Sequence, residues 1–287
     1  MMAKEAVRYE NIPDEDIFLK LLDNKIDEAK DTLIERFEYI CSQDPASAKF
    51  MYENGLMAGY IPEEGIRSAL KHGTLAIGQI GLAETLQILI GTDHTTKEGM
   101  ELAKRIEQMF KTKCAEFKEE YKLNFGVYYT PAENLCYTSM QKFKDKYGEI
   151  PNVSDKDFFT NSMHVPVWHK ITPFEKIDIE SQLTGYSNAG CITYVELDAD
   201  AKKNLEGLEQ IVNYAMEKDI PYFAINVPND MCTNCGYTDD IADDNCPMCG
   251  DNKIQRLRRV TGYLTGDYLT AFNKGKIQEV QMRVKHD

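Results

Sequence analysis

The sequence predicts an α/β fold, and two observations lead to that prediction. Apolar residues recur at three- and four-residue steps in the first third of the chain, which is typical of amphipathic helices. Further along, short β-branched and aromatic runs flank a helical stretch, which is the order of a βαβ unit with parallel strands. The chain has 287 residues, of which 43% are hydrophobic, and this is enough for one large domain or two small ones.

Two long helices are predicted near the start, over residues 17–40 and 96–121. Thr95 and Glu98 have the spacing of a capping box at the start of the second helix. Between the two helices, the apolar run 71–91 is interrupted by glycines. These glycines either permit close packing or mark a strand-to-helix turn.

Three strands are predicted, at 124–130, 192–197 and 222–227. A helical stretch over about 201–218 separates the last two, and this order predicts the βαβ unit. The following segment, 229–251, is short of bulky apolar residues and rich in Cys, Asp and Asn. It cannot build a core of its own and therefore needs a covalent or metal cross-link.

Four of the eight cysteines form two CxxC pairs with ten residues between them: Cys232, Cys235, Cys246 and Cys249. Each pair supplies two thiolates from one tight turn, and zinc prefers four such ligands in a tetrahedron. A glycine follows each pair, where it relieves crowding and lets amides turn toward the sulfurs. The pattern predicts a structural zinc site, with a pair of disulfides or an iron–sulfur cluster as the alternatives. We therefore expect two domains, 1–228 and 229–287.

Charge and composition disfavour several classes of function. The net charge of −14 repels nucleic-acid phosphates. No apolar run is long enough to cross a membrane, and the first residues have no apolar secretory core. The CxxC pairs favour metal binding over disulfides. We therefore expect a protein of the reducing cytoplasm with neither a membrane nor nucleic acid as its partner.

The sequence RVTGYL at residues 259–264 resembles the glycyl-radical signature of anaerobic (class III) ribonucleotide reductases. Six further segments look like that family in the family's order: KHGTLAIGQIGLAE, LNFGVYYTPAENL, DKDFFTNSMHVPV, ITYVELD, INVPNDMCTNCGY and FNKGKIQEVQMRVKH. The resemblance implies part of the ten-stranded α/β barrel of glycyl-radical enzymes and ribonucleotide reductases. A zinc ribbon and a radical loop would follow that barrel part.

The resemblance also implies an activity, the anaerobic reduction of ribonucleoside triphosphates to deoxyribonucleotides. Gly262 would store a radical that is delocalised over both flanking amides and installed by a radical-SAM activase. The radical would pass to a cysteine, whose thiyl takes hydrogen from the ribose C3′ before the 2′-hydroxyl leaves as water. The family implies a homodimer when complete, with formate or a thioredoxin-like protein as electron donor.

A loop with candidate substrate contacts follows the first predicted strand and comprises Thr130, Pro131, Ala132 and Glu133. Strand-end loops commonly carry active-site groups, and Glu133 could exchange a proton or a hydrogen bond with a ribose hydroxyl. In the family this segment looks like an active-site loop. The alternative is an ordinary helix N-terminus, with Pro131 in its first turn.

One departure from the family concerns the thiyl cysteine, which the family has upstream of a segment that looks like MAKEAV, where this chain starts. We expect the upstream half to be missing, through truncation or because a second subunit carries it, and the chain to be inactive alone. The cysteines outside the CxxC pairs are Cys41, Cys114, Cys136 and Cys191. Cys114 lies on an apolar helical face and is interpreted as core, and Cys191 alone has a loop-like setting.

Two features have open interpretations. The basic run of Lys253, Arg256, Arg258 and Arg259 could contact phosphate or the activase, or could form salt bridges within this acidic protein. The pair His164 and His169 could be ligands, but we interpret these residues as structural, because their spacing does not match one helix face. Two rival functions are a spare-part radical subunit and a non-catalytic zinc-ribbon interaction protein. The long stretch before the zinc site disfavours the first, and Gly262 in RVTGYL disfavours the second.

Overall fold

The computed structural model describes residues 1–7, 12–129, 132–260, 263–264 and 267–286. The described part is a mixed α/β structure. Its helices are α1 Met2–Glu5, α2 Glu15–Cys41, α3 Lys49–Glu53, α4 Arg67–Leu70, α5 Leu82–Ile90, α6 Lys97–Tyr121, α7 Glu133–Tyr147, α8 Pro173–Thr184, α9 Leu205–Glu217, α10 Tyr268–Ala271 and α11 Lys274–Met282. Its strands are β1 Thr74–Ile77, β2 Asn124–Tyr129, β3 Gly190–Cys191, β4 Thr193–Glu196, β5 Phe223–Asn226, β6 Asn229–Cys232, β7 Thr238–Asp239, β8 Ile254–Leu257, β9 Arg259–Val260 and β10 Tyr263–Leu264.

The chain divides into two compact units. Unit 1 comprises Met1–Gly78, Lys104–Tyr128 and Tyr186–Ala189, and unit 2 comprises Gln79–Ala103, Tyr129–Gly185 and Gly190–Asp287. The sequence-based division at residues 228 and 229 concerns a different boundary and stays a prediction. Among the described residues, no helix combines the length and apolar character that a membrane crossing requires.

Unit 1 contains helix α2, which confirms the first predicted helix. The Asp14 carboxylate accepts a hydrogen bond from the Ile17 amide at 2.8 Å and so caps the start of the helix. The predicted apolar stripe is confirmed in part: its members Leu22, Ile26 and Phe37 are buried, whereas its last member, Ile40, is exposed. Phe18 is buried as well, although the predicted stripe had Ile17 at that end. In the same unit β1 and β2 pair in parallel, with Thr74 opposite Asn124 and Ile77 opposite Val127.

The second predicted helix is confirmed as α6, but its predicted cap is wrong by one residue. The hydroxyl of Thr96 accepts from the amide of Gly99 at 3.2 Å, so Thr96 is the cap. Thr95 is unavailable because the Asp93 carboxylate accepts from its amide at 2.9 Å and its hydroxyl at 2.6 Å. Such short-range Asp turns compete with helix caps for the same backbone groups.

The glycines of the 71–91 run act in both of the ways the sequence suggested. Gly81 has φ +75° and directly precedes α5, so it makes the turn into that helix. At Gly78 an added Cβ would lie 2.3 Å from the carbonyl oxygen of Tyr128, so two backbone segments approach closely there.

Unit 2 contains the βαβ unit, which confirms that prediction. Strands β4 and β5 pair in parallel from Thr193 opposite Phe223 to Glu196 opposite Asn226, and α9 connects them. Helix α9 begins later than predicted because the side chain of Asn204 accepts from the Gly207 amide at 2.9 Å and caps it there. The sheet and helices enclose a small core: Ile177, Val195, Ile211, Ala215 and Ile220.

Candidate functional site

The structure brings the four CxxC cysteines together. Their sulfurs all lie within 4.8 Å of one another, and the Cys232–Cys249 and Cys235–Cys246 pairs are each 3.6 Å apart. A tetrahedral zinc with bonds of about 2.3 Å would hold its sulfurs roughly 3.8 Å apart. The four thiols therefore fit a tetrahedral metal ion, and four protein ligands leave it no open position.

The two CxxC turns, Cys232–Cys235 and Cys246–Cys249, are here termed knuckles, and they repeat the same backbone hydrogen bond. The amide of Gly236 donates to the carbonyl of Cys232 at 2.9 Å, and the amide of Gly250 donates to that of Cys246 at 2.9 Å. Amide-to-sulfur donation occurs in the second knuckle, where the Met248 amide lies 3.4 Å from the Cys246 sulfur. Such bonds favour the thiolate form that a metal requires.

The four-cysteine segment is anchored by a buried carboxylate that the sequence did not single out. Strand β6 pairs antiparallel with β7 and β8, and Asp230 on β6 is fully buried. Two arginines of the predicted basic run, Arg256 and Arg258, form ion pairs with that carboxylate. The salt-bridge interpretation of the basic run therefore holds for these two residues. A buried charge needs such partners, but the acidic composition of the segment gave no sign of which aspartate is buried.

Gly262, the predicted radical residue, lies outside the described residues. The strands on either side of it are described: β9 and β10 pair antiparallel, with Val260 opposite Tyr263 and Arg259 opposite Leu264. Arg259 lies with its guanidinium carbon 5.5 Å from the centre of the Tyr194 ring. The carbonyl oxygen of Arg259 accepts a hydrogen bond from Arg283 at 2.8 Å.

Most of the predicted substrate loop also lies outside the described part of the chain, namely Thr130, Pro131 and the side chain of Glu133. Glu133 is the first residue of α7, and Ala132 is its N-cap residue. The Ala132 amide donates to the side-chain oxygen of Asn161 at 2.8 Å. Asn161 is buried and also accepts from the Cys136 thiol at 3.2 Å, so it fixes the end of this loop. Sequence reasoning missed Asn161, because nothing in its neighbourhood marks a contact with residues so distant in the chain.

The cysteines outside the CxxC pairs are poorly placed for chemistry. Cys114, Cys136 and Cys191 are buried, and burial raises the pKa of these thiols to about 11, 12 and 11. Cys41 is half-buried, and burial raises the pKa of its thiol as well. None of the four therefore has the exposed, acidified setting of a reactive thiol.

A small cavity in unit 2 has a polar lining that includes His164, Lys176, Tyr194, Arg283 and His286. Its volume of about 40 Å³ admits ordered water but not a nucleotide. Behind it, burial alone would raise the pKa of Glu180, but Lys176 and His164 outweigh burial and hold that pKa below its usual range. His164 is buried, with its Nδ1 3.5 Å from a carboxylate oxygen of Glu180.

Comparisons with known proteins agree over nearly the whole chain. A family model described as anaerobic ribonucleoside-triphosphate reductase matches residues 4–286. The anaerobic ribonucleoside-triphosphate reductase of Enterobacteria phage T4 is 35% identical over 279 residues, covering 94% of this chain and 44% of its own length. The enzyme of the same name from Escherichia coli is 33% identical over 285 residues, covering 95% of this chain and 40% of its own. The chain thus spans less than half the length of these curated relatives.

Solved structures show the same fold. An anaerobic ribonucleotide reductase superposes with a TM-score of 0.75 at 23% identity, covering 96% of this chain and 42% of the other. The anaerobic ribonucleotide reductase of Thermotoga maritima with glycerol in its active site superposes with a TM-score of 0.65 at 21% identity. That match covers 93% of this chain and 40% of the Thermotoga chain.

Proposed function

This chain belongs to the anaerobic ribonucleoside-triphosphate reductase family, and we propose that it is the radical-bearing part of such an enzyme. The reaction we propose is the anaerobic reduction of ribonucleoside triphosphates to deoxyribonucleotides. The observation that carries the proposal is the position of the four-cysteine site in the chain. Strand β8 follows its second CxxC pair and leads directly into β9 and β10, the paired strands that flank Gly262.

We assign the four cysteines to a structural zinc. When bound, zinc would join the two knuckles and fix the β6–β8 ribbon, which has few apolar residues to hold it. The site is closed, so it would not take part in the reaction. The ion pair between Arg258 and Asp230 joins β6 of the ribbon to the residue that precedes β9.

We assign the radical to the α-carbon of Gly262, where a radical-SAM activase would remove one hydrogen. The glycyl radical would take the thiol hydrogen of a cysteine in the remaining part of the enzyme. The resulting thiyl would remove the C3′ hydrogen of the ribose, and the 2′-hydroxyl would take up a proton and leave as water. Formate or a thioredoxin-like donor would supply the two electrons and the second proton of the reduction. The cysteine would then return its hydrogen to C3′, and the thiyl that this leaves would take one from Gly262, which restores the glycyl radical. The protein's contribution is to position these atoms and exclude other reactants.

We assign substrate contacts to Thr130, Pro131 and Ala132, and a role toward a ribose hydroxyl to Glu133. Two observations support this assignment. The segment begins at the end of β2, and the Ala132 amide is held by the buried Asn161. Residues at strand ends commonly face active sites in α/β proteins.

The wider architecture and partners follow from the family. We propose that 1–228 belongs to the ten-stranded α/β barrel and that 229–287 is the zinc and radical domain. The partners would be the activase, the remaining part of the reductase and a second copy in a homodimer, in the cytoplasm.

Spin resonance on the reductase reconstituted from this chain and the remaining part tests the proposal. After activation without oxygen, the radical should give a doublet from the single α-hydrogen of glycine. Protein made with α-deuterated glycine should lose that splitting. A doublet that persists after deuteration would contradict the assignment of the radical to glycine.

A further inference from the structure

Residues 267–286, here termed the clasp segment, comprise α10, α11 and the extended residues that follow. We propose that the clasp segment is held on unit 2 by noncovalent contacts alone, so that backbone cleavage within residues 261–266 leaves both fragments in one complex. The surface beneath the clasp segment would then be a binding site for a peptide of this chain's own sequence. These contacts do not depend on the proposed function, although one consequence for oxygen damage does.

Helix α11 packs closely against the first turns of α7 and against the segment that follows α7. At Gly275 an added Cβ would lie 2.7 Å from the carbonyl oxygen of Asp157 and 2.8 Å from the ring of Tyr137, so only glycine fits. The amide of Asp157 donates to the side-chain oxygen of Gln278 at 2.6 Å. At the start of the helix, Asn273 donates to the side-chain oxygen of Asn134 at 2.5 Å.

The residues after α11 form backbone hydrogen bonds in two places. The amide of Val284 donates to the carbonyl of Val167 at 2.8 Å, and that of His286 donates to the carbonyl of Glu196 at 2.7 Å. The ring nitrogen Nδ1 of His286 accepts from the amide of Glu196 at 3.0 Å. His286 therefore occupies both backbone groups of Glu196 at the end of β4, as a neighbouring strand would.

Arg283 joins the clasp segment to the residue that precedes the loop. Its guanidinium donates to the carbonyl of Arg259 at 2.8 Å, and it forms ion pairs with Glu196 at 3.1 Å and Glu279 at 3.5 Å. The Arg283 side chain is only 11% exposed. Charge-assisted hydrogen bonds in such a poorly hydrated place are stronger than exposed ones. The side chain of Arg283 thus connects the clasp segment to Arg259 independently of the covalent chain through residues 261–266.

The covalent chain through residues 261–266 adds to these contacts only by raising the local concentration of the clasp segment near its binding surface. A short flexible link raises the local concentration of the second binding partner to about the millimolar range, and cutting it removes that term alone. Because the buried bonds and close packing remain, the fragment should stay bound at micromolar protein. If oxygen cleaves the backbone at Gly262, the damaged protein should keep its assembled form while its loop is interrupted.

The test uses the intact folded chain with a protease site inserted between residues 265 and 266. After complete cutting, the small fragment should co-elute with the large one in native size-exclusion chromatography and separate in guanidinium. A labelled synthetic peptide of residues 266–287 should exchange into the cut complex. A fragment that elutes alone in native buffer at micromolar protein would overturn the proposal. Since no radical is formed, that outcome would leave the proposed function untouched.

Substitutions test which contact holds the small fragment on the large one. In the cut protein, Arg283→Ala should weaken retention by roughly 10- to 100-fold, since it removes charge-assisted bonds from a buried site. The matched control is Lys285→Ala, because Lys285 is 45% exposed and pairs with Asp240 at the surface. Its effect should be about threefold or less. Equal effects of the two variants would contradict the role of Arg283, and Glu196→Gln offers the same test from the other partner if Arg283→Ala fails to fold.

Discussion

At the scale of single residues, glycine serves different purposes in different parts of this chain. In the two knuckles, Gly236 and Gly250 have φ +77° and +74°, and an added Cβ would meet nothing within 4 Å. They are required by backbone conformation, so the sequence-based expectation that they relieve crowding is wrong. At Gly99 the reason is space, because an added Cβ would lie 1.9 Å from the carbonyl oxygen of Asp93.

The presence or absence of space for a Cβ predicts opposite effects of alanine at Gly99, in α6, and at Gly185, the C-cap residue of α8. Gly99→Ala should lower the free energy of unfolding by about 1–3 kcal/mol, because Asp93 and the start of α6 must move apart. Gly185→Ala is the control, since Gly185 has φ −67° and an added Cβ meets nothing within 4 Å. It should be neutral or stabilising by up to about 1 kcal/mol. Urea unfolding measures both, and equal stability of the two variants would contradict the clash.

Gly262 is expected to be essential for a third reason, the chemistry of its α-carbon. Gly262→Ala in the reconstituted reductase should abolish the radical signal and the oxygen-dependent backbone cleavage that produces a C-terminal fragment beginning near Tyr263. A side chain there would obstruct the planar radical. Alanine at Thr261 or Tyr263 should be tolerated by comparison, because neither residue carries the spin. Spin resonance and mass spectrometry check this, and a radical that survives Gly262→Ala would show that it lies elsewhere.

His286 predicts a pH dependence of stability. Burial lowers the pKa of His286 to about 4, and the charge of Lys176 acts in the same direction. The unfolded chain protonates this histidine near its ordinary pKa of about 6.5, whereas the folded chain stays neutral to lower pH. Because the folded chain keeps His286 neutral, the free energy of unfolding is not reduced by this residue above pH 6.5. As the pH falls from 6.5 toward 4, protonation of His286 in the unfolded chain lowers the free energy of unfolding by about 1.4 kcal/mol per pH unit.

The difference between wild type and His286→Asn isolates this contribution. Burial also lowers the pKa of His94 to about 4, so both proteins should lose stability in this window. Asparagine can accept the Glu196 hydrogen bond but does not titrate. Urea unfolding between pH 7.5 and 5 should give a shallower loss for the variant. Parallel curves would mean that His286 is protonated in the folded state as readily as in the unfolded one.

At the scale of elements, the metal-binding ribbon should depend on its ion. We expect one zinc per chain through Cys232, Cys235, Cys246 and Cys249, and structural zinc in isolated peptides contributes about 10–16 kcal/mol of apparent binding energy. Chelation should speed hydrogen exchange in β6–β8 and leave the long helices α2 and α6 protected. Cys235→Ser should behave like chelation. Metal analysis well below one zinc, or iron with visible absorption, would contradict the assignment.

Elements with a periodic signal could be predicted from the sequence, whereas the exact starts of two helices could not. The α2 stripe and the βαβ unit depend on periodicity, which is written in consecutive residues. The cap of α6 was predicted one residue too early, because the Asp93 carboxylate binds the hydroxyl of Thr95. The start of α9 was also predicted too early, because Asn204 caps that helix. Both errors come from single side chains that compete for backbone amides. The meeting of the four cysteines was predictable because CxxC spacing is itself local.

At the scale of the whole chain, the contacts that hold the loop region were beyond sequence reasoning. Arg283 lies next to Arg259, Gln278 next to Asp157, and Asn161 next to Ala132, each across a long stretch of chain. Polar residues of these types occur throughout an acidic, charged sequence, so composition does not mark the ones that become buried. The basic run is an example of this limit of sequence-based prediction. Arg256 and Arg258 pair with Asp230, whereas Arg259 lies over the ring of Tyr194.

The last prediction concerns activity: this chain alone should give no deoxynucleotide. Purified protein with activase, reductant and ribonucleoside triphosphates, without oxygen, still needs a thiyl cysteine near the substrate. Cys114, Cys136 and Cys191 are buried, with pKa values raised to about 11, 12 and 11. The chain spans 40–44% of the length of its relatives, so the remaining length has room for that cysteine.

Adding a polypeptide that corresponds to the rest of the relatives' length is the matched control, and it should restore turnover if the two parts assemble. Turnover by this chain alone would contradict the prediction and would assign the thiyl to Cys41, Cys114, Cys136 or Cys191. Replacing each with serine would then identify it, because serine is similar in size but has no sulfur and cannot form a thiyl radical. Loss of turnover in a variant with unchanged stability would separate that chemical role from a packing role.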